Sequence, residues 1–192
     1  MAKRILLAGI LGGFALFLWG GLSHMVLGLG QVGIQYLPQQ EPVMDALKAA
    51  VPKSGFYFFP MADAAMKLPP EKAGGPYGIM IYHSSGAGGP MTSQLIKECA
   101  LNIVMALFAA YVLSLASGLA GYGSRVGFVT LLGLMVGLMT NVQYWNWYGF
   151  PMNYTAVGVF NDVVGFLIVG LIAAAFVKSA APRIMAVPAK AA

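Results

Sequence analysis

The chain has 192 residues, of which 59% are hydrophobic and 9% are charged, and its formal net charge is +5. Because soluble domains carry about 25% charged residues, this composition excludes an ordinary soluble domain and predicts a membrane protein. The single cysteine excludes an intramolecular disulfide and a redox centre built on paired thiols.

Four apolar runs are long enough to cross a bilayer, which takes about 20 residues. They cover residues 5–27, 99–119, 126–144 and 155–177. Helices are expected because a segment surrounded by lipid must satisfy its own backbone hydrogen bonds. The basic start of the first run is also typical of a secretory signal peptide, but the run is long and has no clear cleavage pattern. We therefore interpret it as a retained helix.

These runs predict an all-α integral membrane protein, an antiparallel bundle of four transmembrane helices. A small extracytoplasmic α/β cap is expected between helices 1 and 2, because that connection is too long to lack structure of its own. The short later connections predict that helices 2, 3 and 4 are neighbours in chain order. The predicted units are helix 1 (1–28), the cap (29–97), helices 2–4 (98–178) and a cytoplasmic tail (179–192).

The basic residues outside the cap predict the orientation of the bundle. They flank the apolar runs on one side, with no acid among them: Lys3, Arg4, Arg125, Lys178, Arg183 and Lys190. The positive-inside rule therefore predicts a protein of the cell (inner) membrane with both termini in the cytoplasm. Residues 29–97 are then on the extracytoplasmic side of that membrane. The positive charge is thus explained by topology and anionic lipid, and it does not indicate nucleic acid binding.

Within the cap, residues 41–51 have the pattern of a helix, and residues 55–60 and 77–83 have the composition of two strands that pair as an antiparallel ribbon. The connection of residues 61–76 is expected to be turn-forming and exposed. The first strand carries four adjacent aromatic residues, Phe56, Tyr57, Phe58 and Phe59. A strand with two apolar faces is either buried on both or touches another protein or the membrane surface, so these four are the predicted interface.

Polar residues interrupt the apolar runs near their outer ends. An intramembrane carboxylate such as Asp162 is costly and usually faces the bundle interior. Glycines fall on the same predicted helix faces as the polar residues, and small residues are typical of close helix contacts. These glycines are Gly9, Gly13 and Gly20 in helix 1, Gly133 and Gly137 in helix 3, and Gly158 and Gly165 in helix 4. We therefore expect His24, Asn102, Asn141 and Asp162 to converge.

Two interpretations of this polar cluster remain open. In the first, Asp162 hydrogen-bonds to Asn102, Asn141 or a backbone group and only sets the helix register. In the second, the cluster is a pocket under the cap in which His24 and Asp162 pair, bind a metal or cofactor, or pass a proton. His24 and His83 are the candidate metal ligands, on the condition that the cap folds onto the bundle. The sequence does not identify a cofactor, and the methionines lack the close spacing of a copper site.

The sequence shows no nucleophile–base set, so a non-enzymatic role is expected. The main hypothesis is an accessory or assembly subunit of a larger membrane complex. Its expected partners are the lipid bilayer and other membrane subunits or further copies of the chain, and not nucleic acid. The alternative is a ligand-, metal- or cofactor-binding membrane protein, or a small enzyme, with its polar pocket in the outer third of the bundle. A transporter that works as an oligomer is a third possibility.

Overall fold

The computed structural model describes residues 1–60, 75–86 and 89–178. Four helical segments in these ranges are long and apolar enough to cross a membrane, which confirms the four predicted helices: Ala2–Val26, Met91–Leu115, Tyr122–Tyr148 and Met152–Phe176. The α-helices are α1 (Ala2–Gly21), α2 (Gln40–Ala50), α3 (Met91–Leu115), α4 (Tyr122–Gly137), α5 (Gln143–Tyr148) and α6 (Met152–Phe176), and the strands are β1 (Gly55–Phe59) and β2 (Gly78–Tyr82).

Two of the predicted helix boundaries are wrong. Helix α3 begins at Met91, directly after Pro90, whereas the apolar run begins at residue 99. Its first two turns mix polar residues with apolar ones, so a search for continuous apolar runs does not detect them. The third spanning segment continues through a π-helical turn and α5 to Tyr148, so its tryptophans lie on a helix and not in a loop. The chain then reverses at Gly149, whose φ of 70° is in the left-handed region that glycine adopts without strain.

Helix α1 lies between α3 and α6, and α6 lies between α1 and α4. The consecutive helices α3 and α4 touch each other only sparsely, so the prediction that helices 2, 3 and 4 are neighbours in order is wrong for that pair. It is correct for α4 and α6. The difference arises because the glycines of α1 let Ile103 and Leu107 of α3 approach closely, whereas the six-residue connection 116–121 lets α4 diverge from α3.

The packed helices run antiparallel and approach closely at small residues. A Cβ added at Gly13 of α1 would lie 2.6 Å from the backbone nitrogen of Ile103 in α3. The central core is also built from small or branched side chains, among them Ala8, Ala106, Ala110, Val129, Val169 and Ala173. Such close contacts give van der Waals packing of the kind that is typical of helices that associate in a membrane.

One end of the bundle carries three of the basic residues that predict the orientation, Arg4, Arg125 and Lys178. Met1, Arg4 and Lys178 border one cavity there. Arg125 donates hydrogen bonds to the carbonyl oxygens of Ala120 (2.9 Å) and Ala174 (3.2 Å). The Ala174 carbonyl lies in the last turn of α6, where no intrahelical partner is available, and the Ala120 carbonyl lies in the connection between α3 and α4.

The cap lies at the opposite end of the bundle, where the Phe58 ring packs against the Tyr148 ring with centroids 6.0 Å apart. Strands β1 and β2 pair antiparallel, with Phe56 opposite Ile81 and Phe58 opposite Ile79, which confirms the predicted ribbon. Helix α2 confirms the predicted cap helix, although it has no buried residue. Residues 61–74 of the predicted turn and the predicted tail 179–192 lie outside the described residues.

Candidate functional site

The middle of α6 carries two adjacent polar residues that bond to different helices. The Asp162 Oδ2 atom accepts a hydrogen bond of 2.8 Å from the side-chain amide of Asn141 in the segment that follows α4. The Asn161 Oδ1 atom accepts a bond of 2.6 Å from the Ser23 hydroxyl in the segment that follows α1. Successive helical residues point about 100° apart, so this pair reaches both neighbours of α6 at the same depth.

The segments that bring the partners to α6 are both π-helical turns. Leu22–Val26 extends α1 and carries Ser23 and His24, and Leu138–Val142 extends α4 and carries Asn141. A π-helical turn inserts an extra residue, which redirects the side chains that follow it, and such turns are frequent at functional sites. The indole nitrogen of Trp19 adds a 3.3 Å bond to the carbonyl oxygen of Asn161.

Most of the predicted glycine faces do make helix contacts. An added Cβ at Gly137 would lie 3.3 Å from the Asp162 Cβ, and one at Gly158 would lie 2.6 Å from the side-chain carbon of Asn141. Gly165 instead faces α1, against Leu16. Gly20 was expected on a packing face, but a Cβ there would meet no atom within 4 Å. The space in front of Gly20 belongs to a cavity.

Two cavities share the polar residues of this region. The outer cavity is about 280 Å³ and is bordered by the connecting segment after α1 and the start of α6, including Gly30, Ile34 and Tyr154. The deeper cavity is about 200 Å³ and lies among all four spanning segments. His24, Asn161 and Asp162 border both cavities. We call these two spaces the outer and the inner cavity.

The structure brings the four predicted site residues to this region, although not into one bonded cluster. Asn141 bonds directly to Asp162, as the first interpretation allowed. His24 borders both cavities and packs against Gly30. Asn102 is buried on the inner cavity, but its amide donates to Glu98 at 3.2 Å and not to Asp162.

Sequence reasoning omitted four residues of the site: Trp19, Ser23, Glu98 and Asn161. Asn161 and Ser23 were visible as polar residues in the apolar runs, but helical periodicity did not reveal that they bond to each other. Glu98 was not considered as an intramembrane polar residue because the predicted apolar run began at residue 99. With the observed start, Glu98 lies one turn before Asn102 on the same helix face.

The metal candidates do not share a ligand set. His83 follows β2 in the cap, and His24 borders the cavities. Within residues 1–60, 75–86 and 89–178, no group of three His, Cys, Asp or Glu side chains is arranged to hold a metal ion. What the site offers instead is carboxylates, amides and an imidazole around open space.

Comparison of the chain with protein-family models, with curated proteins and with solved structures finds no match.

Proposed function

We propose that this chain is an accessory or assembly subunit of a larger membrane complex. It is inserted in the cell (inner) membrane with both termini in the cytoplasm and the cap outside. The observation that supports this proposal best is the exposed apolar surface of the β1–β2 hairpin. Of the two alternatives for a strand with two apolar faces, contact with another protein or the membrane surface fits better than burial, since among the described residues Phe56, Phe58 and Phe59 are 53%, 46% and 45% exposed.

The hairpin surface has the composition of a protein interface. The strand register places Phe56, Phe58, Ile79 and Ile81 on one face, and Ile81 is 71% exposed. Exposed apolar patches rimmed by polar residues mark interaction sites, and aromatic residues are enriched in the cores of interfaces. Here the exposed face is continuous with the end of the bundle through the Phe58–Tyr148 contact.

The hairpin also offers backbone groups to a partner. It is a two-stranded sheet among the described residues, so the outer edge of each strand has no partner strand there. Isolated two-stranded hairpins are marginally stable, and three or more strands are usually needed. A strand of the partner protein that adds to one edge would complete the sheet and cover the aromatic face. The occupant that we propose is therefore an extended segment of another membrane subunit.

Mild extraction from native membranes followed by native mass spectrometry tests this function. The intact chain is expected in an assembly larger than its own 20.2 kDa. The double variant Phe56→Ser with Ile81→Ser is expected to release it from the assembly without changing the stability of the bundle. A control variant, Val43→Ser on the exposed cap helix, is expected to stay associated. A partner-free monomer from native membranes would contradict the proposal.

A second candidate function, a ligand-binding membrane protein, is favoured by the two cavities. Two of the polar residues that border both cavities, Asn161 and Asp162, lie about ten residues into α6, well inside a candidate membrane span, where polar groups are usually functional. Elemental analysis and absorbance spectra of the purified protein test for a metal, haem or pigment. Retention of a small molecule by the protein, and its loss in Asp162→Asn, would support this function. An empty protein that is unaffected by the substitution, apart from stability, would contradict it.

A further inference from the structure

We propose that the inner cavity binds an organic cation, an amine or quaternary ammonium group attached to a small apolar body. This inference deepens the second candidate function and depends on it, because it names the class of ligand that the pocket takes. Three observations support the inference: the unbalanced carboxylates at the cavity, its aromatic and aliphatic lining residues, and the paths by which a ligand could enter.

The charged groups at the inner cavity are unbalanced. Glu98 and Asp162 border it, and its described lining contains no lysine or arginine. The ion pair found in the described part of the chain is remote, between Lys48 and Asp45 of the cap helix. Asn141 donates a hydrogen bond to one carboxylate oxygen of Asp162. Among the described residues, the other oxygen accepts no hydrogen bond. A cationic ligand would supply the missing partner for these carboxylates.

The walls of the inner cavity favour an organic cation over an inorganic one. Trp19 and Phe166 border the cavity together with Leu16, Met105 and Val136. Aromatic faces attract ammonium groups, and tryptophan does so most strongly. Aliphatic side chains suit the apolar body of the ligand. A bare metal ion would use neither kind of wall, and the described residues hold no three-ligand group for one.

The remaining polar groups can orient such a ligand. Asn161 and His24 border both cavities, and a carbonyl oxygen or an imidazole nitrogen can accept a hydrogen bond from an ammonium N–H. Contact between α3 and α4 is sparse, which is compatible with entry of a ligand from lipid, and the outer cavity is bordered by the connecting segment that leads to the cap. The amine can therefore belong to a lipid headgroup or to a solute from the aqueous phase.

Adjacent glycines in the last turn of α1 provide a matched pair of variants. Gly20 borders the inner cavity and Gly21 does not, and an added Cβ at either position meets no atom within 4 Å. Gly20→Leu is therefore expected to fill the cavity without a clash, whereas Gly21→Leu changes the same helix in the same way outside the cavity. Loss of binding in the first variant alone would locate the ligand.

The experiment uses the purified full chain in nanodiscs of phosphatidylglycerol, a lipid without an amine, and calorimetric titration. The probe is hexyltrimethylammonium, and hexanesulfonate and hexanol are the anionic and neutral controls with the same chain length. Saturable binding is expected for the cation alone. Gly20→Leu, Glu98→Gln and Asp162→Asn are each expected to weaken it by about tenfold or more, while Gly21→Leu and Asp45→Asn leave it within about twofold.

Competition then separates the two sources of the amine. Displacement of the probe when phosphatidylethanolamine is added to the nanodiscs indicates a lipid headgroup, and displacement by choline in solution indicates a soluble ligand. Each result is consistent with the inference. Absence of cation binding, or equal affinity in the intact chain and in Gly20→Leu, would overturn it.

The same titrations separate failure of the inference from failure of the second candidate function. If hexanol or hexanesulfonate binds and Gly20→Leu blocks it, the pocket binds ligands but the proposed cationic class is wrong. If no probe binds in a manner sensitive to Gly20→Leu, both the cationic ligand and the ligand-binding function at this cavity are contradicted.

Discussion

A single methyl group added at Gly133 is expected to separate α4 from α6. Its Cβ would collide with the Phe166 side chain and lie 2.8 Å from the backbone carbonyl oxygen of Asp162. A side chain can rotate away from such a contact, but the carbonyl oxygen belongs to the rigid backbone of α6. The helices must therefore move apart, and this motion would also stretch the nearby hydrogen bond between Asn141 and Asp162.

The size of the effect follows from a comparison within α4. Gly127 is exposed, and a Cβ there meets no atom within 4 Å. Replacing glycine by alanine inside a helix favours the helix by about 1 kcal/mol, and this gain is common to both positions. Overpacking of a close contact costs about 1–3 kcal/mol. The free energy of unfolding of Gly133→Ala is therefore expected to be about 1–3 kcal/mol lower than that of Gly127→Ala.

Reversible unfolding in mixed micelles, with a rising fraction of sodium dodecyl sulfate and helix content followed by circular dichroism, measures this difference. Gly127→Ala is expected to unfold at the same or a higher denaturant fraction than the unmodified chain, and Gly133→Ala at a lower fraction than Gly127→Ala. If the two variants unfold together, α4 and α6 do not make the close contact described here, and the reasoning from glycine packing is refuted.

Three further predictions concern other parts of the molecule. Asn141→Ala removes the donor to Asp162 and is expected to lower the free energy of unfolding by about 1–3 kcal/mol in the same assay, because the carboxylate loses its partner. Tyr122→Phe removes a 2.7 Å bond to a carbonyl oxygen of α6 and is expected to cost about 1 kcal/mol. In a variant without the native cysteine, a membrane-impermeant thiol reagent is expected to label Ser84→Cys from outside intact cells, and Ser124→Cys only after permeabilisation.

Each of these experiments has a control. Asn146→Ala and Tyr111→Phe alter exposed residues of the same types and are expected to change stability by less than about 0.5 kcal/mol. Equal losses in the control and test variants would mean that the hydrogen bonds are not the cause. Labelling of Ser124→Cys, and not Ser84→Cys, in intact cells would reverse the proposed orientation.

Part of the candidate site could be predicted because intramembrane polar residues are few and costly. For that reason the sequence identified four candidate site residues, and the structure brings them to one region: His24, Asn102, Asn141 and Asp162. Their partners could not be predicted in the same way. Hydropathy indicates that a polar residue lies at a certain depth, but the choice between Asn102 and Asn141 as the partner of Asp162 depends on which helices are neighbours.

The sequence by itself determined the local features of this protein. The four apolar runs predict helices because a segment in lipid would have no other partner for its backbone, and the aromatic and branched residues of positions 55–60 and 77–83 predict the hairpin. These features need only neighbouring residues along the chain. The start of α3 was not predicted for the same reason, since its first two turns mix polar with apolar residues and do not form an apolar run.

Only the tertiary structure decided which helices meet and where space is left between them. The glycines at positions 9, 13 and 20 share one face of α1, yet the first two pack against α3 and the third borders the inner cavity. Periodicity identifies a face of small residues but not the surface that covers it. That choice depends on the fit of whole helices to one another, which residues far apart in the chain determine together.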